Sequence, residues 1–522
     1  MRIGVDVGGT NTDAVVMQDK DVLAAVKTPT TADVSTGIVL AVREALAEAE
    51  VDPRRIAATM IGTTQFTNAF VERKRLREVG VIRVSLPSNT DIRPMLDWPE
   101  KLVSVVGEHA YWAHGGYEFD GSEIAPFCDA DVRKAARDIK RKGLQHVAIS
   151  CVFSPVNAEE ERCAAEIVKE EIPEAHITLS SEIGRIGMIE RENASIMNAA
   201  LIELSTLVVG SFRKALESLD ITAPFFISQN DGTLMGADYV ERYPVLTFAS
   251  GPTNSMRGAA FLSGLKDAIV VDVGGTTTDV GVLANGFPRE SAVPVDIGGV
   301  RTNFRMPDIL AVGLGGGSCV RRSGEGVTVG PDSVGYELTQ KALVFGGDTL
   351  TATDIAVAAG QADFGDRAAL EDLEPGLIKQ GLGRIRETAE DAIDRMKTSA
   401  EAVPIILVGG GSILIGDDLS GASNLVRPDH AGVANAIGAA MAQVGGETDR
   451  VFSYDAMGRD GALEAAKAES VSKAIDAGAD PASVQILDVE EIPMAYMPGG
   501  SVRVRAKAVG DLVLDGGGPS VQ

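Results

Sequence analysis

The chain carries the same glycine-rich motif twice. Residues 5–13 and 271–279 both read Val-Asp-Val-Gly-Gly-Thr-x-Thr-Asp, where x is Asn11 in the first copy and Thr277 in the second. Apolar runs flank each copy, and this pattern predicts a buried strand, a tight turn and a returning strand. One copy is as compatible with an ordinary hairpin as with a binding loop, but a repeat over nine positions argues against coincidence.

The residue types of this motif suit a phosphate ligand. The paired glycines let the backbone come close to a ligand, where a Cβ atom would collide. Backbone amides and threonine hydroxyls donate hydrogen bonds to phosphate oxygens, and an aspartate can hold a divalent cation through water. Two such turns that face each other across a cleft would bind a triphosphate from both sides.

Composition narrows the range of partners. The 522 residues carry a formal net charge of −26, which argues against nucleic-acid binding because that requires clustered Lys and Arg. The four cysteines form no Cys-x-x-Cys pair, as is typical of reduced thiols in the cytoplasm. A first strand near Ile3 leaves no room for a signal peptide, and the most apolar run, residues 403–415, is too short for a bilayer. We therefore expect a soluble cytoplasmic protein, with neither a membrane nor a nucleic acid as partner.

Polar residues also follow other apolar runs. Thr63, Thr64 and Asn68 lie where a predicted strand meets a helix, which is where ligands bind at the mouth of an α/β cleft. An interpretation of these three residues as caps of that helix is nearly as well supported. Asn230 and Asp231 likewise follow a predicted strand. All five are candidate ligand contacts.

Glycines mark two further segments. Residues 313–317 contain four glycines, which indicate either a backbone nest for an anion or a flexible turn. Residues 404–412 form an apolar strand that ends in three glycines and a serine, before a predicted helix start. With the two copies of the repeated motif, the second segment gives three glycine-bearing turns, each at the end of an apolar strand.

The two repeated turns resemble the phosphate loops of the actin, sugar-kinase and heat-shock-ATPase superfamily. More narrowly, the chain resembles the hydantoinase/oxoprolinase family over roughly residues 1–445. Beside the two turns, the segments that carry this resemblance are residues 62–69, 72–74, 180–183, 250–252 and 313–318.

The resemblance implies an α/β fold. Two ribonuclease-H-like lobes would surround a nucleotide cleft, as in the actin-like ATPase fold, with an insertion and a small C-terminal appendage. We place the N-terminal lobe at residues 1–185, with the insertion at about 85–130. The second lobe would span 186–445, and the C-terminal unit 446–522.

The resemblance also implies ATP and Mg²⁺ as cofactors. Asp6 and Asp272 would hold Mg²⁺ and its water shell, whereas Asp13 and Asp279 would either orient water or pin the two hairpins. The residues expected to bind nucleotide are Gly8, Gly9, Thr10, Asn11, Thr12, Gly274, Gly275, Thr276, Thr277, Gly315, Gly316, Gly409, Gly410, Gly411 and Ser412. The five strand-end residues above would contact the substrate. Arg191 joins them, because the family places a charged stretch beside the cleft there.

Similar proteins of this family open cyclic amides or imides, such as hydantoins and 5-oxoproline, at the expense of ATP. The resemblance therefore implies an ATP-dependent amidohydrolase subunit that phosphorylates the amide carbonyl, which is otherwise a poor electrophile. In the family, the attack of water often depends on a separate subunit or domain, which we do not find in this sequence. We therefore expect a second hydrolase subunit as partner, and an oligomer.

Two other functions remain open. One is a small-molecule kinase of the same superfamily, with Asp279 or Asp231 aimed at a hydroxyl acceptor. The other is a non-enzymatic nucleotide switch. The chain also departs from the family at residues 229–233 and 253–255. These departures leave ATP binding intact but put hydantoin and oxoproline themselves in doubt as substrates.

Overall fold

A computed structural model of the chain describes residues 1–8, 11–31, 34–324, 326–441, 443–494 and 500–514. The strands are β1 (Arg2–Val7), β2 (Asn11–Gln18), β3 (Asp21–Pro29), β4 (Ala58–Thr63), β5 (Val79–Leu86), β6 (His109–His114), β7 (His146–Cys151), β8 (His176–Leu179), β9 (Phe225–Ser228), β10 (Thr233–Gly236), β11 (Ala268–Val273), β12 (Thr278–Ala284), β13 (Phe287–Pro288), β14 (Val295–Ile297), β15 (Val300–Thr302), β16 (Ile309–Val312), β17 (Ser318–Ser323), β18 (Gly326–Ser333), β19 (Val403–Val408), β20 (Ala422–Val426), β21 (Gln443–Ser453), β22 (Gln485–Pro493) and β23 (Ser501–Gly510). The α-helices are α1 (Val34–Glu48), α2 (Gln65–Val71), α3 (Glu100–Val106), α4 (Asp129–Arg141), α5 (Glu159–Glu171), α6 (Met188–Glu217), α7 (Ala237–Arg242), α8 (Ser250–Ser263), α9 (Leu338–Lys341), α10 (Ala352–Ala358), α11 (Pro375–Met396), α12 (Ala434–Met441), α13 (Tyr454–Met457) and α14 (Arg459–Asp476).

Nine strands form the main sheet of the first lobe, in the order β22-β23-β21-β10-β9-β4-β1-β2-β3. β1 runs antiparallel to β2 and parallel to β4, so the first glycine-rich motif is a hairpin beside a parallel pair. α12 packs so closely on β1 that a Cβ atom at Gly4 would lie 2.1 Å from the carbonyl oxygen of Ala436. Any larger residue at this position would push the helix away from the sheet.

The second lobe repeats this arrangement. Its sheet has the order β13-β12-β11-β19-β20, and β16 also pairs with β12. β19 runs parallel to β11 as β4 runs parallel to β1. Asp6 lies opposite Asp13 in the first hairpin, and Asp272 lies opposite Asp279 in the second. The repeat in the sequence is a repeat in the structure, and the predicted two-lobed α/β fold is confirmed.

A smaller sheet of four parallel strands, in the order β6-β5-β7-β8, covers part of the first lobe. The predicted insertion contributes α3 and β6 to this region. The sheet is fixed to α6 by a buried ion pair, in which Arg83 Nε lies 2.8 Å from Glu192 Oε2. Both side chains are almost fully buried, so the pair is a firm attachment between the two elements.

α6 is the longest helix of the described part of the chain, with 30 residues. By length and apolar composition alone it could cross a membrane, but 72% of its most apolar window is buried inside the protein. Its buried residues pack in the core of the first lobe. Burial of this extent is typical of a core helix.

The C-terminal appendage continues the sheet of the first lobe. β21 pairs parallel with β10, and β23 and β22 follow it with antiparallel pairing. Residues 225–236, which we assigned to the second lobe, supply β9 and β10 to the same sheet. β9 pairs with the edge of β4, which would otherwise present unpaired backbone groups to solvent, and β10 pairs with β9.

Candidate functional site

A cavity of about 320 Å³ lies between the two lobes, where the two hairpins meet. Its lining comes from both hairpins and β3, from α8, from the loops after β16 and β19, from the start of α12 and from the segments before, within and after α10. The lining residues are Asn11, Asp13, Lys27, Ser255, Asp272, Gly274, Gly275, Gly316, Gly335, Leu338, Thr339, Phe345, Thr353, Phe364, Gly409, Gly410, Gly411, Ile413, Ala431, Gly432, Ala434 and Asn435. The structure thus brings together the three predicted glycine-bearing turns.

Asp6 is the central carboxylate of the first hairpin. Asn435 Nδ2 donates a hydrogen bond to its Oδ2 atom over 2.8 Å, whereas Oδ1 is buried and has no hydrogen-bond partner among the described residues. Burial, together with the nearby charge of Asp13, raises the pKa of Asp6 to about 7. A Cβ atom at Gly62 would lie 2.4 Å from Asp6 Oδ1, so this glycine is required for β4 to pass beside the carboxylate.

Asp272 holds the matching position in the second hairpin. Burial raises its pKa, and a hydrogen bond from Ser255 and the charge of Lys27 oppose that increase. Gly409 has a φ of +84°, and a Cβ atom there would lie 2.3 Å from Asp272 Oδ1. The loop after β19 therefore approaches this carboxylate by means of a glycine.

Some backbone amides of the two turns form hydrogen bonds within the hairpins, and among the described residues one is free to bind a ligand. Gly8 donates to the Asn11 carbonyl and Gly274 to the Thr277 carbonyl, so both of these amides close the turns. In the described part of the chain, no hydrogen bond engages the amide of Gly275, which lines the cavity. Gly9 and Thr10, which we expected to bind nucleotide, lie outside the described residues.

Of the four threonines predicted to bind phosphate, the three that the structure describes lie in different surroundings. Thr12 is fully buried within β2, which places its side chain in the sheet rather than in the cavity. Thr276 and Thr277 are exposed at the turn of the second hairpin, next to the lining glycines. Of the three, only the latter two have hydroxyls that a ligand could reach.

The four-glycine run supports the second hairpin. Gly316 donates to the Gly274 carbonyl over 3.0 Å, and Gly317 donates to the Gly275 carbonyl over 2.7 Å. A Cβ atom at Gly315 would lie 2.6 Å from the amide nitrogen of Thr276. The amide of Gly315 is also occupied, by Ser318 Oγ. The run is a backbone brace for the hairpin rather than an open anion nest.

The loop after β19 lines the cavity with Gly409, Gly410 and Gly411, which we predicted to bind nucleotide. Gly411 must be a glycine, because a Cβ atom there would lie 2.7 Å from the Gly274 carbonyl oxygen. Ser412 does not line the cavity; its amide donates to the Gly409 carbonyl. This serine closes the turn that presents the glycines.

Several residues that line the cavity were not predicted from the sequence. Phe345 and Phe364 stack with ring centroids 5.9 Å apart and an interplanar angle of 10°, and both are more than one third exposed. Partly exposed aromatic rings beside a glycine loop form a surface on which a flat heterocycle can stack. These two residues carry no motif, and only the tertiary structure places them beside the other turns.

Lys27 was also missed. β2 and β3 join at residues 19–20, and pairing counted back from that turn would place Asp13 opposite Val26. A β-bulge between Val16 and Met17 shifts the register by one residue, so that Asp13 lies opposite Lys27. A shift of one residue moves a side chain to the other face of the sheet, and this is how Lys27 reaches the cavity.

The first three substrate candidates lie beside the first hairpin but do not line the cavity. The Thr64 hydroxyl donates to the Val7 carbonyl over 3.5 Å, and Thr63 Oγ1 accepts from the Gln65 amide. Asn68 Nδ2 donates to Thr64 Oγ1 over 3.3 Å. These contacts at the start of α2 agree with the interpretation of the residues as helix-end groups.

The other three substrate candidates have structural roles and do not line the cavity. The Arg191 guanidinium is buried and donates to the carbonyls of Cys151, Arg185 and Ile186. Asn230 is buried and bonds to the backbone of Val245 and Ala249. The expectation of a substrate contact is not met for either residue, because their polar atoms are occupied by the protein itself.

Asp231 belongs to a network of ion pairs. Its carboxylate lies 2.9 Å from Lys507 Nζ and 3.0 Å from Arg305 Nη1. Burial alone would raise its pKa, but the charges of Lys507 and Arg305 lower the pKa below its usual range. A carboxylate that is paired twice in this way is neither a substrate contact nor a base aimed at a hydroxyl.

The acidic groups fit a divalent cation. The described residues contain no group of three or more His, Cys, Asp or Glu side chains arranged around a metal position, so protein side chains could supply only part of a coordination shell. Asp6 Oδ1 is buried and unpaired, and so are both polar side-chain atoms of Asn254. The charges of Asp13 and Asp272 both raise the pKa of Asp6. A cation with a water shell, held by Asp6 and Asp272, would relieve this concentration of negative charge.

Comparison with known proteins gives a consistent match. The family model described as hydantoinase/oxoprolinase N-terminal region matches residues 2–172, and the model described as hydantoinase/oxoprolinase matches residues 191–366. The chain is 28% identical to the acetophenone carboxylase gamma subunit of Aromatoleum aromaticum, over 69% of this chain and 53% of that protein. It is 27% identical to the caprolactamase subunit alpha of Pseudomonas jessenii, over 75% of this chain and 58% of that protein.

The chain therefore spans little more than half the length of these two relatives. The crystal structure of the ATP-dependent caprolactamase from Pseudomonas jessenii superimposes with a TM-score of 0.78, covering 98% of this chain and 88% of that one. The sequence identity over this superposition is 19%, so the likeness concerns the fold.

Proposed function

Because the chain belongs to the hydantoinase/oxoprolinase family, we propose that it is the ATP-dependent subunit of an enzyme that activates a cyclic amide or imide. The observation that carries this proposal is the cavity between the lobes, which is lined by residues of both hairpins. Both copies carry a carboxylate in the same register, as a site that grips a metal-bound triphosphate from two sides requires.

In this proposal, ATP would have one orientation. Its phosphates would lie between the two hairpins, near the amide of Gly275 and the exposed hydroxyls of Thr276 and Thr277. The adenosine would lie along the loop of Gly409–Gly411, with its base against Phe345 or Phe364. Asp6 and Asp272 would hold Mg²⁺, which would neutralise negative charge on the phosphates.

The reaction follows from the weakness of an amide as an electrophile. The bond between the γ-phosphorus and the bridging oxygen of ATP breaks as a new bond forms to the amide oxygen, and ADP leaves. The ring nitrogen loses its proton, which gives an imidate phosphate. One water then opens the ring to an amine and an acyl phosphate, and a second water releases carboxylate and phosphate. The protein contributes mainly position and charge stabilisation.

A partner subunit belongs to this proposal. The two curated relatives described above are named as subunits, and the chain spans little more than half of each. We therefore expect the attack of water to take place with the help of a second hydrolase subunit, in an oligomeric complex. A cytoplasmic location agrees with the acidic net charge of −26.

A second acceptor is favoured by one observation. The similarity to an acetophenone carboxylase subunit suggests a ketone as an alternative acceptor of the phosphoryl group. The carbonyl oxygen of a ketone, in its enolate form, would attack the γ-phosphorus in the same position as an amide oxygen. The substrate panel must therefore contain both classes.

The test is acceptor-dependent release of ADP. The chain, with and without the product of a neighbouring gene, is incubated with Mg-ATP and a panel of lactams, hydantoins, imides and aryl ketones. We expect one class to raise the rate of ADP release at least about tenfold. Asp272→Asn should abolish this increase, because it removes one of the two carboxylates that hold Mg²⁺. A panel in which no carbonyl compound changes the rate, with or without partner, would contradict the proposal.

A further inference from the structure

The strand that pairs with the second strand of each hairpin, β3 in the first lobe and β16 in the second, carries a different residue beside the second aspartate. In the first lobe, the row of paired residues runs from Asp6 through Asp13 to Lys27. In the second lobe, the equivalent row runs from Asp272 through Asp279 to Ala311. The position of Lys27 is therefore taken by an uncharged alanine in the second lobe, and the row of paired residues carries a positive charge on one side of the cleft only.

Lys27 is held firmly by its partner. Its Nζ atom lies 2.6 Å from Asp13 Oδ1 and 2.7 Å from Asp13 Oδ2. The Asp13 side chain is only 2% exposed, whereas the Lys27 side chain is 37% exposed and lines the cavity. An ammonium group has three N–H donors, and Asp13 uses two of them. The third remains available for an acceptor in the cavity.

The positive charge of Lys27 affects carboxylates on both sides of the cavity. It opposes the rise in pKa that burial causes at Asp6, Asp13 and Asp272, so it acts on carboxylates of both lobes. Among the described residues that line the cavity, Lys27 is the one lysine or arginine. A triphosphate bound there would therefore meet a single protein cation, whose position is fixed.

Asp279 lacks such a partner. Burial and the charge of Asp272 raise its pKa to about 7, and the described residues place no cation beside it. The second-lobe hairpin therefore adds no positive charge to the cavity. The developing charge of a phosphoryl group in transfer is stabilised best beside a fixed cation, which only the first hairpin supplies.

We propose that Lys27 binds the phosphoryl group that ATP transfers, and that Asp13 is the positioning residue that aims its ammonium group. This assignment rests on the proposed function as an ATP-dependent enzyme. Lys27 forms no covalent bond. It stabilises the non-bridging oxygens of the γ-phosphoryl group while the bond to ADP breaks and the bond to the acceptor oxygen forms.

The test compares two nucleotides in calorimetric titrations with Mg²⁺ and no acceptor. Lys27→Met should weaken binding of a non-hydrolysable ATP analogue by about tenfold to hundredfold, as expected for loss of a charged hydrogen bond. Binding of ADP, which lacks the γ-phosphoryl group, should change less than about twofold. Lys20→Met is the matched control, because Lys20 is exposed at the turn between β2 and β3 and lies outside the cavity.

A second variant controls for misfolding of the Lys27→Met protein. Lys27→Met alone leaves the Asp13 carboxylate buried without its partner, so Asp13→Asn is combined with it to remove both charges. The double variant should show the same selective loss for the ATP analogue. Equal losses for ADP and the analogue, or no loss for either, would overturn the role of Lys27.

This experiment separates two kinds of failure. The titrations contain no carbonyl compound, so an enzyme without activity on cyclic amides or ketones would still show the selective loss. Conversely, a wrong assignment of Lys27 would leave acceptor-dependent ADP release by the natural chain unchanged. Failure of the natural chain to bind either nucleotide would count against the proposed function and against the role of Lys27 with it.

Discussion

At the scale of a single residue, burial of the Asp6 carboxylate lowers the stability of the folded protein wherever that carboxylate is ionised. The pKa of its carboxylate is raised from 3.8 to about 7, because burial and the charge of Asp13 disfavour the ionised form. Because the folded-state pKa of Asp6 exceeds its unfolded-state value, protonation of Asp6 contributes to the stability of the fold, and this contribution is fully present below about pH 4. It is lost as the pH rises through about 7, where the buried carboxylate becomes charged.

Asp6→Asn should therefore stabilise the ligand-free protein in a pH-dependent way. We expect the free energy of unfolding in urea to rise by about 2 kcal/mol at pH 8 and to change little at pH 4. The amide keeps an oxygen that can accept from Asn435. On the proposed assignment of Asp6 as a Mg²⁺ ligand, the same variant should also lose the increase in melting temperature that we expect Mg-ATP to give the natural chain.

Asp19→Asn is the control for this prediction. Asp19 is exposed at the turn between β2 and β3, and the cavity does not include it. Its substitution should leave both urea curves and the effect of Mg-ATP unchanged. A similar gain in stability for Asp6→Asn at pH 4 and pH 8 would show that the ionisation of Asp6 is not the cause.

At the scale of elements, the close packing of α8 against α12 positions residues of both helices that line the cavity. A Cβ atom at Gly438 would lie 1.8 Å from the Asn254 carbonyl oxygen, and one at Gly258 would lie 1.9 Å from the Ala434 carbonyl oxygen. The two helices therefore touch backbone to backbone. α12 carries Asn435, which bonds to Asp6, so the position of the helix also sets the geometry of the carboxylate.

Gly438→Ala should force the two helices apart. We expect a loss of about 3 kcal/mol or more in the free energy of unfolding, because the added methyl group meets rigid backbone atoms. Nucleotide binding should weaken as well, since Ala434 and Asn435 line the cavity. Urea denaturation and calorimetric titration with ADP measure the two effects.

Gly210→Ala in α6 is the matched change. Apart from the neighbouring backbone of α6 itself, no atom of the described residues lies within 4 Å of a Cβ atom built at Gly210, so alanine should raise stability by about 0.5 to 1 kcal/mol through helix propensity. If both glycine variants lost stability equally, close packing of α8 on α12 would not explain the loss.

At the scale of the whole molecule, residues 289–308 tie the second lobe to the first. This segment runs between β13 and β16 and carries Glu290 and Arg305 into contact with the first-lobe sheet. Glu290 pairs with Arg505 and Lys507 on β23, over 2.8 and 3.3 Å. The network reaches three parts of the chain that are distant in sequence, and it includes the C-terminal appendage.

Glu290→Gln should loosen this attachment. Burial alone would raise the pKa of Glu290, but the charges of Lys507, Arg305 and two further arginines lower it to about 2. A lowered pKa contributes stability above about pH 4.5, and this contribution is lost as the pH falls through about 2. We expect the variant to lose about 1 to 3 kcal/mol at pH 7 and to equal the natural chain near pH 2 in urea denaturation.

Glu464→Gln serves as the control for an ion pair at the surface. Glu464 is 73% exposed and pairs with Lys467 one helical turn away. Its loss should change stability by less than about 0.5 kcal/mol at either pH. An equally small effect of Glu290→Gln at pH 7 would mean that the buried network does not hold the lobes together.

The sequence by itself determined the two hairpins and the lobes built on them. A strand, a glycine turn and a returning strand form from neighbouring residues, and the repeat of that pattern at 5–13 and 271–279 predicted two equivalent lobes. The glycines after β19 were predicted for the same reason, since an apolar strand that ends in glycines is a local pattern. Asp6 and Asp272 followed directly, because each lies at a fixed place in its hairpin.

Only the tertiary structure decided what surrounds those carboxylates. Asn435 reaches Asp6 from more than 400 positions away, and Arg191 and Asp231 are occupied by partners that no local pattern reveals. Lys27 depends on a β-bulge that shifts its strand by one residue. Local sequence fixes elements and turns because the interacting atoms are neighbours, whereas side-chain partners across elements depend on register and packing of the whole chain.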